Sequence, residues 1–227
     1  MDLVIEDERL RDKTRVFDDR AQAGKLLAER LSDYKASDAI ILAIPAGGVP
    51  VAFEIANALG LMMDIIVVRK IQIPDNPEAG FGAVGPEGDV IFNERLLSRL
   101  NLSQKEIELQ IEKTKRVLEE RNLKYRGKRP FPDLKNRVVI LVDDGLASGY
   151  TMYEAVRFIK RKEPEKIIIA VPTAPRHTID MLLPNVDEIY CLNIRSSYYF
   201  AVADAYKLWY DVDDKEVISL LNNINQE

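Results

Sequence analysis

Sulfur and imidazole are scarce in this chain. One cysteine, Cys191, stands among 227 residues, so no internal disulfide can form. One histidine, His177, cannot build a zinc site without a cysteine cluster to help it. No run of apolar residues is long enough to span a bilayer. The N-terminal "MDLVIEDERLRDK" lacks the basic-then-apolar order of a secretion signal. The expectation is a cytoplasmic protein with no membrane partner. A basic excess is missing too. The formal net charge is -5, which argues against a broad nucleic-acid surface. No internal repeat and no low-complexity linker interrupts the chain.

What is present is an ordinary globular composition, 47% hydrophobic and 30% charged, enough for one well-buried domain. Five short, almost wholly apolar runs read as strands: 39–45, 63–70, 137–144, 166–172 and 187–194. Helical patterns alternate with them at 20–31, 49–60, 151–162 and 177–183. Apolar strands alternating with helices predict an α/β fold, a parallel sheet covered on both faces. Two stretches break the rhythm. Residues 71–90, rich in Pro and Gly, read as a long loop with room for a short hairpin. Residues 93–126 read as a helical insertion opened by a capping box, Ser103 and Glu106. An aromatic-rich C-terminal segment, 195–227, closes the chain.

Ligands of open parallel sheets bind beyond the carboxyl ends of the strands. Three such ends carry unusual residues: "PAGGVP" (45–50), Arg69-Lys70, and "DDGLASGYT" (143–151). In the third, Gly145 and Gly149 allow tight turns and Ala147 and Ser148 add little bulk. A helix then begins near Thr151, so backbone N–H groups and the helix dipole favour an anion. Ser148 and Thr151 offer hydroxyl donors. The loop is not a Walker A loop, because no Lys follows its second glycine. Asp143 and Asp144 can accept from sugar hydroxyls or hold hydrated magnesium. A strand, an acidic turn and a helix cap would need no ligand at all, and the residues alone leave both readings open.

"VILVDDGLASGYT" resembles the phosphoribosyl pyrophosphate signature of type I phosphoribosyltransferases. "FDDRAQAGKLLAERL", "ILAIPAGGVPVAFEIANALG", "DIIVVRK", "NPEAGFGAVG" and "FAVADAYKLWYDVDDKEV" are similar to blocks of a little-characterised subgroup of that family. Together these blocks cover most of the chain. The resemblance implies one domain over 1–227, with about five parallel core strands, a flexible loop at 71–90 and a hood at 195–227. It implies transfer of ribose 5-phosphate from phosphoribosyl pyrophosphate to a nucleobase or related nitrogen acceptor. It places Asp143 and Asp144 on the ribose hydroxyls and, through water, on Mg2+. It places Ala147, Ser148, Gly149, Tyr150 and Thr151 on the 5′-phosphate. Ala46, Gly47, Gly48, Arg69 and Lys70 would hold pyrophosphate, with Lys70 counted beside the acid pair in catalysis. Where the subgroup usually has Arg, this chain has Ala46, which leaves the contact to backbone N–H groups. Tyr198, Tyr199, Phe200 and Tyr206 are candidates for a hood over the acceptor, Tyr198 and Phe200 foremost, or equally for packing. The role of Glu78 stays open. A homodimer is expected. The alternative is a regulator that senses phosphoribosyl pyrophosphate or a nucleotide without catalysis. A third possibility is another sugar-phosphate enzyme on the same scaffold.

Overall fold

A computed structural model describes residues 3–74, 76–197 and 199–224, with backbone alone for 76–79. The chain divides into two compact units. The larger comprises Met1–Ile66 and Pro132–Glu227, and the smaller is Val67–Phe131.

The larger unit is built on six parallel strands. They are β1 (Val4–Ile5), β2 (Ile40–Ala43), β3 (Met62–Ile65), β7 (Val138–Val142), β8 (Lys166–Pro175) and β9 (Glu188–Arg195), in the order β1-β9-β8-β7-β2-β3. The five expected strands are all present. The sixth, β1, is a two-residue edge strand whose apolar run is too short to announce itself. The central strands read "IILA" and "VVILV", and residues 40–43 and 139–142 are all buried. A strand covered on both faces cannot alternate, because both of its faces meet apolar neighbours. Helices α1 (Arg20–Arg30), α2 (Gly48–Leu59), α5 (Tyr150–Lys160), α6 (Arg176–Leu182) and α7 (Asp214–Ile224) flank this unit's sheet. Asp19 caps α1, accepting from the backbone N–H of Gln22 at 2.8 Å.

The smaller unit holds β4 (Arg69–Ile73), β5 (Asn76–Val84) and β6 (Val90–Phe92) in an antiparallel sheet, with α3 (Glu94–Leu97) and α4 (Gln104–Arg126). Residues 71–90 are therefore largely paired strand rather than open loop. Ile71 and Phe81 are fully buried and anchor the sheet. Pro and Gly dominate the composition, but alternate apolar residues still supply one buried face. The capping box at Ser103 and Glu106 forms as expected. Arg69 and Lys70 also change place. The parallel strand ends at Ile65, and the two basic residues open β4 instead of closing β3.

One buried polar network fastens the end of β9. Asn193 is fully buried. Its side-chain oxygen accepts from Thr173 Oγ1 at 2.7 Å, and its amide donates to the carbonyls of Leu10 and Lys13. These bonds lash the N-terminal segment across the strand ends. Asn193→Ala removes three hydrogen bonds, each worth about 0.5–1.5 kcal/mol net, although Thr173 Oγ1 keeps the Asn193 carbonyl at 3.1 Å and the Leu10 carbonyl keeps the N–H of Lys13 at 3.2 Å. It is expected to destabilise the protein by roughly 2–4 kcal/mol after local relaxation. Urea denaturation checks this; a change under about 0.5 kcal/mol would refute the role of the network.

Candidate functional site

Strand β7 delivers Asp143 and Asp144 to the carboxyl edge of the sheet. The two carboxylates part company there. Asp143 turns its Oδ1 back to accept from the backbone N–H of Asp144 at 2.9 Å. Asp144 Oδ2 accepts from Arg20 Nε at 2.9 Å. Arg20 is 4% exposed, at the first position of α1. Its Nη1 donates to the carbonyl of Tyr210 at 2.9 Å. Its guanidinium carbon stands 4.0 Å from the ring centre of Trp209 and 5.3 Å from that of Tyr210. Tyr206, buried beside Phe17, donates its phenol to the carbonyl of Asp144. Burial pushes the Asp143 carboxyl well above the usual carboxylate range, and the neighbouring Asp144 adds to the shift. Burial raises Asp144 as well, while Arg20 pulls it down. Burial holds the Tyr206 phenol protonated, with the Asp144 charge assisting.

The "PAGGVP" loop joins β2 to α2 directly beside these acids. A side chain at Gly47 would put its Cβ 2.0 Å from Asp144 Oδ2. One at Gly48 would stand 2.7 Å from the carbonyl of Val142 and 2.9 Å from Asp143 Cα. Only glycine lets loop and carboxylates share this space. The Gly48 N–H donates to the carbonyl of Ile44 at 3.1 Å. It is spent inside the protein, so the expectation that Gly48 presents its N–H to a ligand is corrected. Ala46 and Gly47 stay half-buried at the loop's tip.

Beyond the acids, Leu146 is buried and its N–H donates to the carbonyl of Thr173 at 3.0 Å. Thr178 Oγ1 donates to the carbonyl of Ala147 at 2.7 Å. The loop is thus pinned from β8 and α6. Gly149 adopts φ 74°, a left-handed conformation, and caps α5. Ala147, Ser148, Tyr150 and Thr151 are exposed around it, at the N-terminus of the helix. The structure therefore brings Gly47, Gly48, Asp143, Asp144 and the 147–151 loop to one edge of the larger unit. Arg69 and Lys70 are exposed and belong to the smaller unit. Phe200 is half-buried. Tyr198 and the side chain of Glu78 lie outside the described residues.

A model of the phosphoribosyl transferase domain matches residues 16–203. The chain belongs to that family. Within it, the chain is 32% identical over 213 residues to the "Putative phosphoribosyl transferase Rv0571c" of Mycobacterium tuberculosis, covering 94% of this chain and 48% of that protein. The chain thus spans about half the length of the curated relatives it matches. The crystal structure of TT1426 from Thermus thermophilus shares 34% identity, with 91% of this chain and 98% of that one covered and a TM-score of 0.81. The parallel core is the family's fold.

Sequence reasoning did not single out Arg20, Trp209 or Tyr210, and of its two readings of Tyr206, hood or packing, the buried ring bonded to the Asp144 carbonyl is packing. For Arg20 a signal existed. A cation at the first position of a helix faces the positive end of the dipole, so it needs another reason to be there. Arg20→Ala removes one partner of a buried ion pair, which typically costs about 3–5 kcal/mol. Its expected result is a lower Tm and red-shifted emission from Trp209, the chain's one tryptophan. An unchanged emission spectrum would show that the stack does not depend on the guanidinium.

Proposed function

We propose that this chain binds phosphoribosyl pyrophosphate through the edge just described and transfers its ribose 5-phosphate to a nitrogen acceptor. The observation that supports this most directly is the packing of Gly47 and Gly48 against Asp144 and Asp143. It sets an anion loop and a diol-binding acid pair side by side, where a donor carrying both groups needs them. The exposed 147–151 loop at the head of α5 takes the 5′-phosphate, with Ser148 and Thr151 donating. Asp143 and Asp144 accept the ribose hydroxyls. The backbone around Ala46 and Gly47 meets the pyrophosphate, in place of a side-chain charge at position 46. The proposal rests on residues of the larger unit alone.

The acid pair also fits magnesium. Among the described residues no group of three or more acidic, histidine or cysteine side chains could hold a metal. Two carboxylates nevertheless suit an ion that keeps several waters and completes its shell with substrate oxygens. When bound, magnesium would neutralise charge developing on the departing pyrophosphate. In the transfer the acceptor nitrogen bonds to the anomeric carbon as that carbon's bond to the pyrophosphate oxygen breaks. The electron pair leaves with pyrophosphate, and the acceptor's N–H proton passes to solvent. The two carboxylates, held beneath the sugar, favour the positive charge that builds on the ring.

Pyrophosphate release with the donor, magnesium and a panel of nucleobases tests the whole reading. Ser148→Glu, at an exposed position of the 147–151 loop, is expected to fold but to lose donor binding by at least about tenfold. Unchanged affinity in the folded variant would refute the site. Donor binding without turnover on any acceptor would favour the regulatory alternative.

The raised carboxyls add a pH prediction. A carboxyl raised in the folded state contributes stability at low pH that is lost as pH rises through its folded value. Asp143→Asn is therefore expected to raise Tm at neutral pH and to match the native chain below the ordinary carboxylate range. It should also weaken magnesium-dependent donor binding, trading function for stability. Thermal melts at pH values below the ordinary carboxylate range and at neutral pH check the sign. A neutral-pH Tm at or below that of the native chain would contradict it.

A further inference from the structure

Arg195 closes β9, and its guanidinium is left without the company such a group needs. The residue is 6% exposed. Its Nε and Nη1 are buried and, among the described residues, have no hydrogen-bond acceptor. These two nitrogens carry three of the five N–H donors. Nη2 donates to Ser197 Oγ, at 3.3 Å. Among the described residues no carboxylate pairs with it. The ring centre of Phe200 lies 5.9 Å from its guanidinium carbon. A lysine so placed could shed its proton, but arginine stays charged. A buried cation with unfilled donors is the signature of a missing anion.

Its position says which anion. Side chains alternate along a strand, so Arg195 shares a face with Asn193. Asn193 bonds Thr173, whose Cγ2 lies 3.0 Å from where a Cβ on Gly145 would stand. Arg195 is therefore on the face that the Gly145 loop occupies. It lies two strands from β7, about 10 Å sideways, on the side away from β2. In the transferase reading the donor's phosphates occupy the ends of β7 and β2, so they do not fill Arg195. The partner left for this side of the edge is the acceptor. We propose that Arg195 and Phe200 select the acceptor, and that its class is a planar heterocycle carrying a carboxylate. The ring packs on Phe200, and the carboxylate takes the open donors of Arg195 in place of the long bond to Ser197. This rests on the transferase reading for its orientation.

Calorimetric titration of the full chain with magnesium and pyrophosphate present, which prevents turnover, compares matched probes. Pyridine-3-carboxylate is set against pyridine-3-carboxamide, and benzoate against benzamide. The native chain is expected to bind each acid at least about tenfold more tightly than its amide, the scale of one charge-assisted hydrogen bond. Arg195→Met should bring both ratios near one and leave Tm of the free protein equal or higher, since it removes an unmatched buried charge. Arg195→Lys should retain part of the preference. Ratios near one in the native chain overturn the proposal. So does Arg195→Met with its ratios intact, or an Arg195→Met chain that fails to fold, because the guanidinium would then be structural. Donor affinity is measured separately without any probe. Its absence sinks the transferase reading, whereas an acid preference lost with donor binding intact sinks only the acceptor assignment.

Discussion

The Arg20 guanidinium ties three distant parts of the chain together at this edge. It bonds Asp144, 124 positions away, and the carbonyl of Tyr210, 190 positions away. The rings of Trp209 and Tyr210 lie against it. A guanidinium suits this task because it is planar, permanently charged and weakly hydrated, so it stacks and bonds at once. Backbone contacts extend the junction. Lys207 and Leu208 donate to the carbonyls of Phe17 and Asp18 at 2.8 and 2.9 Å. The segment that closes the chain is thereby fixed beside the start of α1, and both are fixed to the acid pair.

That junction explains why the acids are held as they are. Asp144 is oriented by Arg20 from one side, and its carbonyl is held by Tyr206 from another. The space opposite is filled by the backbone of Gly47, with no room for a single methyl group. Two adjacent carboxyls in such a place are expensive, since burial disfavours their charged forms and each repels the other. Arg20 compensates Asp144 and leaves Asp143 the more strongly raised. The protein thus keeps one acid whose ionisation is opposed by its surroundings. A hydrated cation or a sugar hydroxyl relieves that opposition, so the strain against charge becomes affinity for a ligand that supplies donors.

Sequence reveals some of this and hides the rest for physical reasons. β2, β7, β8 and β9 are legible because burial on both faces leaves nearly unbroken apolar runs, whereas β3, at the sheet's edge with Met62 exposed, is legible through the run that continues to Ile66 and Val67. The acid pair and the small-residue loop are legible because their chemistry is local and contiguous. The β4–β6 sheet is obscured because Pro and Gly mark turns by composition, while its buried face rests on Ile71, Phe81, Ala83 and Ile91, spread over 21 positions. Arg69 and Lys70 read as a strand end because Val67 and Val68 extend the apolar run after the parallel pairing has stopped. Arg20 is hardest to see. Its meaning depends on Asp144 and Tyr210, and no local pattern carries a contact at that separation.

Arg20 and Arg195 show how the same residue is used in two ways at one sheet edge. Both are buried, and both sit near aromatic rings. Arg20 has a carboxylate, a carbonyl and a close ring, so its burial is matched and it organises the protein. Arg195 has a more distant ring and one long bond to a hydroxyl. The lashing of the N-terminal segment by Asn193, two residues earlier on the same face, holds the backbone around it in place without its help. At the same strand end the scaffold satisfies Asn193 on every side and leaves two Arg195 nitrogens without a partner among the described residues. The difference in treatment is what separates a structural cation from one whose partner arrives from outside.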